Sequence, residues 1–168
     1  MKTFLTLIVL AVFLWCSPVY AEFCGVSSES GATECTFKTS YTAKDTRISV
    51  TYTPQGWAMT VTVVRKKEFA FIEGDSKAKT KNGEMYNLEY VSTSRDMAPR
   101  RKWKEMPVYI VSEAFLHELG SGKGKVIFWL TAEDPKEMEV KFSSGMFEDI
   151  DAFIAETKTV LADQFKDG

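Results

Sequence analysis

"TRISVTYTPQGWAMTVTVVR", residues 46–65, decides the fold. Its apolar residues recur with period two. Ile48, Val50 and Tyr52 share one face of an extended segment, and Arg47, Ser49 and Thr51 share the other. Thr53-Pro54-Gln55-Gly56 then reads as a tight turn, because proline fixes φ and glycine accepts a positive one. Trp57, Met59, Val61 and Val63 resume the alternation on a second strand. Two alternating runs joined by a short turn call for an antiparallel sheet with one face in a core.

The same grammar extends along the chain. Phe69 to Ile72 reads as a short apolar strand, and Asn82-Gly83 as a hairpin turn. Lys77, Lys79 and Lys81 alternate with Ala78 and Thr80 before that turn, the pattern of a charged edge strand. Tyr86, Leu88 and Tyr90 form an apolar face after it. Val108 to Val111, Val126 to Leu130 and Met138 to Phe142 complete the strands. Two helices are expected. Ser112 caps a short one over Glu113 to Leu119, ended by Gly120. Phe147, Ile150, Ile154, Leu161 and Phe165 recur at helical spacing near the carboxy terminus, supported by Phe153 and Val160, with Glu148 and Asp149 in the first turn. The expected fold is mainly β with a C-terminal α-helix (α+β): an antiparallel sheet bent into a sandwich or partial barrel, with one short and one longer helix.

The first residues place the protein outside the cytoplasm. Lys2, an apolar run from Phe4 to Trp15, and Val19 and Ala21 before a cleavage point make the three-part pattern of a secretory signal peptide. Residues 1–21 are expected to be removed, leaving 22–168 as a single β-rich globular domain in the periplasm or outside the cell. No later apolar run approaches the ~20 residues that span a bilayer, so no transmembrane segment is expected in the mature chain. Cys16 leaves with the leader, and Cys24 and Cys35 remain as a pair. In an oxidising compartment such a pair reads as a disulfide. Closing a loop of this length is worth roughly 3 kcal/mol in the chain-entropy model. The chain's formal net charge of −2 argues against a nucleic-acid partner.

Motifs for chemistry are approached and not completed. "AFLHELGSGKG", residues 114–124, opens like half of a zinc-protease helix and closes like a phosphate loop. The helix needs H-E-x-x-H, and His117 is the only histidine of the chain. The loop needs G-x-x-x-x-G-K-[ST], but Leu119 and Val126 stand where Gly and Ser or Thr are required. His117 therefore reads as a polar residue on the exposed side of a short helix. No G-x-S-x-G occurs around Ser121. Two cysteines and one histidine cannot supply four N/S ligands. The reading is that the protein is not an enzyme and has no cofactor, no metal site and no catalytic residues.

The remaining candidate is "RDMAPRRKWKEMP", residues 95–107. Arg95, Arg100, Arg101, Lys102 and Lys104 cluster there around Trp103. As a site, Arg100, Arg101, Lys102, Trp103 and Lys104 would meet an anionic partner: lipopolysaccharide, phospholipid or the acidic patch of a protein. As a plain solvated loop, the charges would balance the acidic helix and Trp103 would sit in the core.

The carboxy-terminal third carries a resemblance. "GKGKVIFWL" followed by "MEVKFSSGMFEDIDAFIAET" is similar to the close of bacterial proteins of the invasion-associated locus B type: a strand, a second strand, S-x-x-G-F and an amphipathic helix. It departs by Met146 between Gly145 and Phe147, and by lacking a tryptophan-then-cysteine start and a later cysteine pair. The resemblance implies a periplasmic or surface-associated protein without catalytic residues, linked to host interaction. The reading is an exported, non-catalytic binding protein. An anionic-lipid or lipopolysaccharide binder using residues 100–104 and a small secreted hydrolase with an unrecognised site are the alternatives.

Overall fold

The structure, a computed structural model, describes residues 23–26, 33–121 and 124–164. The expected leader and cleavage point, Gly122-Lys123 and Phe165 lie outside the described residues. Among those described, nine antiparallel strands form one open sheet: β1 (Cys24–Val26), β2 (Thr33–Lys38), β3 (Thr46–Thr53), β4 (Gly56–Arg65), β5 (Ser76–Lys79), β6 (Met85–Ala98), β7 (Lys102–Val111), β8 (Lys125–Thr131) and β9 (Glu137–Ser143). Their order across the sheet is β1-β2-β3-β4-β7-β6-β5-β8-β9. Between β7 and β8 runs helix α1 (Glu113–Gly120); a 3₁₀ turn (Ser144–Phe147) leads into helix α2 (Ile150–Gln164).

The opening stretch forms the hairpin its alternation requires. Thr46 pairs with Val63 and Thr53 with Gly56, and Gly56 takes φ +117° at the turn. Ile48, Val50, Met59, Val61 and Val63 are fully buried. Tyr52, at the strand's end, leaves the core and sets its ring edge-on to Trp57 at 4.9 Å. The helices cover the buried face. Ser112 accepts a hydrogen bond from the Phe115 amide and caps α1. Phe147, Ile150, Phe153 and Ile154 are buried, and Phe153 meets Phe23, Phe37 and Trp57 at 5.5, 5.9 and 5.6 Å. Gly120 belongs to α1 rather than ending it. A Cβ there would lie 2.8 Å from Cγ2 of Ile150, so the glycine permits the close approach of α1 to α2.

Cys24 and Cys35 face each other across β1 and β2 and form a disulfide. The Cys24 amide also donates to Oε1 of Glu156 on α2 at 3.2 Å, fastening the first strand to the last helix.

Three expectations are corrected. Phe69 to Ile72 is not a strand: only Phe71 bridges to Ala132, although Phe69 and Phe71 are buried as their apolarity demands. The lysine-rich strand is not an edge. β5 lies between β6 and β8, with Ala78 paired to both Tyr86 and Phe128, and its lysines point away from the core. The rims of the sheet are β1 and β9. Finally, residues 95–107 are not a loop. β6 continues to Ala98 and β7 begins at Lys102, so the basic segment is the tip of a long hairpin. Pro107 disguises this, because proline in a central strand argues against the strand. It is accommodated where the β4–β7 ladder skips from Thr60–Val108 to Val63–Glu105.

Candidate basic cleft at the hairpin tip

Alternation along β7 sorts the predicted site residues onto two sides. Trp103 turns inward and packs against the core, with the Arg95 guanidinium 5.4 Å above its ring. Arg95 is consumed there. It forms an ion pair with the buried Glu105, a second with Glu68 at 3.1 Å, and donates to the Phe69 carbonyl at 2.9 Å. Lys102 and Lys104 turn the other way, to a cleft of about 530 Å³ that Arg100 also lines. Arg101 stands exposed on the turn beside it.

The cleft is built from more than this hairpin. Lys102 Nζ holds Asp45 at 2.6 Å and ties the β6–β7 tip to the turn between β2 and β3. That turn is closed by the Thr42 amide donating to the Thr46 carbonyl at 2.8 Å and the Asp45 amide donating to Thr42 at 3.0 Å. Sheet register does the rest. Thr46 lies opposite Val63 and Arg65 opposite Trp103, so Lys44, Arg65 and Lys66 arrive at the same end as the tip. They line an adjoining cleft of about 360 Å³ that shares Asp45, Val64 and Lys102 with the first. Together the clefts carry Lys44, Arg65, Lys66, Arg100, Lys102 and Lys104 against two carboxylates, Asp45 and Asp96. Asp96 sits directly across the ladder from Lys104. Tyr41 forms one wall, and the Arg47 guanidinium lies 4.7 Å from its ring centre. Sequence reading missed Tyr41, Lys44, Asp45, Arg65 and Lys66; the signal for them was the register of β3 on β4.

The backbone here is unusual. Among the described residues, the non-glycine residues with positive φ are Asp45 (53°), Arg100 (64°) and Arg101 (55°), and all three stand at this site. Left-handed backbone disfavours residues with a Cβ by roughly 1–2 kcal/mol, with Asn and Asp tolerated best. Hairpin turns that need it usually use Asn-Gly. Two consecutive arginines are therefore held at a cost, and neither has an ion-pair partner among the described residues.

The other end of the hairpin carries the opposite sign. A cleft of about 780 Å³ at the root of β6 and β7 is lined by Glu73, Asp75 and Glu89. Along β6 the run from Glu89 to Ala98 spans roughly 30 Å at strand rise.

His117 is half exposed, as the sequence suggests, and it is tied down. Nδ1 meets Asp151 of α2 at 2.6 Å, and Nε2 meets Glu113 of its own helix at 3.4 Å. The Asp151 hydrogen bond raises its pKa above the ordinary histidine value. Glu113 also receives Lys158 at 2.5 Å and the Trp57 indole at 3.3 Å, and the Lys158 contact holds its carboxyl below the usual range. In a Ser-His-Asp arrangement one histidine nitrogen faces the orienting carboxylate and the other faces the nucleophile's hydroxyl. Here each nitrogen faces a carboxylate. Among the described residues, no group of three or more His, Cys, Asp or Glu is placed to hold a metal.

No family model matches the chain, and no curated protein matches it in sequence. A solved structure, that of invasion associated protein B from Bartonella henselae, is similar over 80% of this chain and 91% of that one, with a TM-score of 0.44 and 14% identity. That likeness is weak, and it falls on the protein type that the carboxy-terminal residues resemble.

Proposed function

We propose that this is an exported binding protein without catalytic activity, and that the β6–β7 tip is where it holds an anionic partner. The observation that carries this reading is the strained arginine pair: Arg100 and Arg101 occupy left-handed backbone beside a cleft already rich in cations. Backbone strain of this kind gathers at functional sites, where the surrounding structure sustains it. The formed disulfide is consistent with a periplasmic or extracellular location. So is the absence, among the described residues, of a helix long and apolar enough to cross a membrane. The engagement of both His117 nitrogens by carboxylates supports binding over hydrolysis.

Titration with inorganic polyphosphate at rising salt tests the proposal. Exposed charges are screened beyond ~10 Å at 0.1 M salt, so affinity should fall as salt rises. Arg100→Gln/Arg101→Gln/Lys104→Gln should remove binding while the melting temperature holds; polyphosphate bound equally by this variant would refute the site.

A further inference from the structure

We infer that β9, the rim of the sheet opposite β1, is a dimerisation edge: it pairs antiparallel with β9 of a second copy of this chain, about a two-fold axis at Val140. The inference does not depend on the anion-binding reading of the tip. A rim strand presents unpaired N–H and C=O groups, and proteins usually blunt it by shortness, proline, a bulge, charge or a covering element. β1 is blunted, because it has three residues and the Cys24 amide is taken by Glu156 of α2. β9 has seven residues and no proline, and it runs in unbroken register on β8 from Glu137–Thr131 to Ser143–Lys125. Its lysine, Lys141, is neutralised by Glu139 of the same strand at 2.6 Å. At the ends of this ladder the Ser144 amide donates to the Gly124 carbonyl and the Ala132 amide to the Lys136 carbonyl. Ladder bonds alternate along an antiparallel strand, so Glu137, Glu139, Lys141 and Ser143 turn their N–H and C=O groups outward. None of these outward groups has a hydrogen-bond partner among the described residues. The β2–β3 turn does not pair with them: Thr42, Lys44 and Arg65 face the middle of β9 across a cleft of about 290 Å³.

Charge order decides the occupant and the register. Any extended chain can use a bare backbone edge, but the outward side chains of β9 are complementary to themselves. A two-fold pairing is symmetric about one residue. Centred on Glu139 or on Lys141, it sets like charges directly opposite each other, which destabilises a sheet. Centred on Met138, it sets Glu137 against Glu139. Centred on Val140, it sets Glu139 opposite Lys141 of the second copy and Lys141 opposite its Glu139, with Glu137 opposite Ser143 at either end. This register also joins the outward N–H and C=O groups of all four residues, because odd positions meet odd positions. On the core face, Met138 falls opposite Phe142 and Val140 opposite itself. The Lys141 and Glu139 side chains are 50% and 45% exposed, so both are available to a second strand.

The test is sedimentation of the purified protein over a range of concentrations, with cross-linking to read the register. The protein should pass from monomer to dimer as concentration rises. Lys141→Glu sets carboxylates opposite each other on both sides of the axis and should weaken the dimer at least roughly tenfold, as should Glu139→Lys. An equimolar mixture of those two variants should pair again. The double variant Glu139→Lys/Lys141→Glu should dimerise like the parent, and it decides the matter if either single variant fails to fold. Val140→Cys should form a disulfide between copies under mild oxidation, because facing Cα atoms in a non-hydrogen-bonded pair lie ~4.5 Å apart. A protein that sediments as a monomer at every concentration would overturn the inference. A dimer that is indifferent to Lys141→Glu, or that gives no cross-link through Val140→Cys, would place the interface elsewhere and overturn it too. Polyphosphate bound by a protein that stays monomeric would leave the basic tip standing and remove the dimer alone.

Discussion

Around α1 and α2, opposite charges are brought together: Glu113 receives Lys158 and the Trp57 indole, and His117 lies between Glu113 and Asp151. At the β6–β7 tip the arrangement is reversed. Arg100 and Arg101 face solvent, their backbone is left-handed, and the nearby carboxylates are outnumbered by cations. Both regions are rich in charge, so abundance of charge does not separate a structural surface from a binding one. What separates them is whether the charges are already spent on one another.

The comparison is broken most severely from the helix side. Phe153 is fully buried among three aromatic rings. Phe153→Ala should destabilise the protein by ~3–5 kcal/mol, a large part of what a domain of this size has. Urea unfolding measures it; a loss below about 1 kcal/mol would mean that α2 is not docked as described. Binding at the tip should survive in whatever fraction remains folded.

A smaller effect, of opposite sign, is expected at the tip. Arg100→Asn/Arg101→Gly supplies the residues that left-handed turn positions favour. It should raise stability by about 1–2 kcal/mol, seen as a higher melting temperature, while polyphosphate affinity falls. A variant no more stable than the parent would show that the turn carries no strain. A gain in stability with unchanged affinity would separate strain from function.

The smallest effect belongs to His117. Its folded pKa is raised, so its charged form stabilises the helix layer. That contribution is present in full below its ordinary value of about 6.5 and is lost as pH rises through the folded value. With half the side chain exposed, solvent screening limits it to below ~1 kcal/mol. Melting temperatures across this window should decline slightly in the parent and stay level in His117→Gln. An identical decline in both would assign the pH dependence elsewhere.

Most of the sheet and both helices were legible in the sequence because their signals are local. The turn at Pro54–Gly56 and the Asn82-Gly83 turn, where the Thr80 amide donates to the Glu84 carbonyl at 3.0 Å, needed only turn chemistry and alternation. Ser112 announced α1. The placement of β5 was not legible, since outward lysines look the same on a central strand as on an edge. The extent of the basic hairpin was hidden by Pro99, which sits in its turn, and by Pro107, which interrupts the ladder with β4 while keeping its place opposite Thr93 of β6. The site was half legible. Arg100, Arg101, Lys102 and Lys104 are contiguous, whereas Lys44, Arg65 and Lys66 join them only through register. Trp103 could not be assigned from composition; the parity of its position in β7 decided it.

The separation of charge along the hairpin has a kinetic meaning. The chain as a whole carries a formal net charge of −2, yet Lys44, Arg65, Lys66, Arg100, Lys102 and Lys104 gather at the tip and Glu73, Asp75 and Glu89 at the root, roughly 30 Å away. Such a molecule is turned by an external field before it touches anything, tip first toward a negative wall. Long-range orientation of this kind raises the rate of productive encounter far more than it slows departure. Added salt should therefore act chiefly on arrival, leaving residence time to the short-range contacts of Arg100, Arg101 and their neighbours.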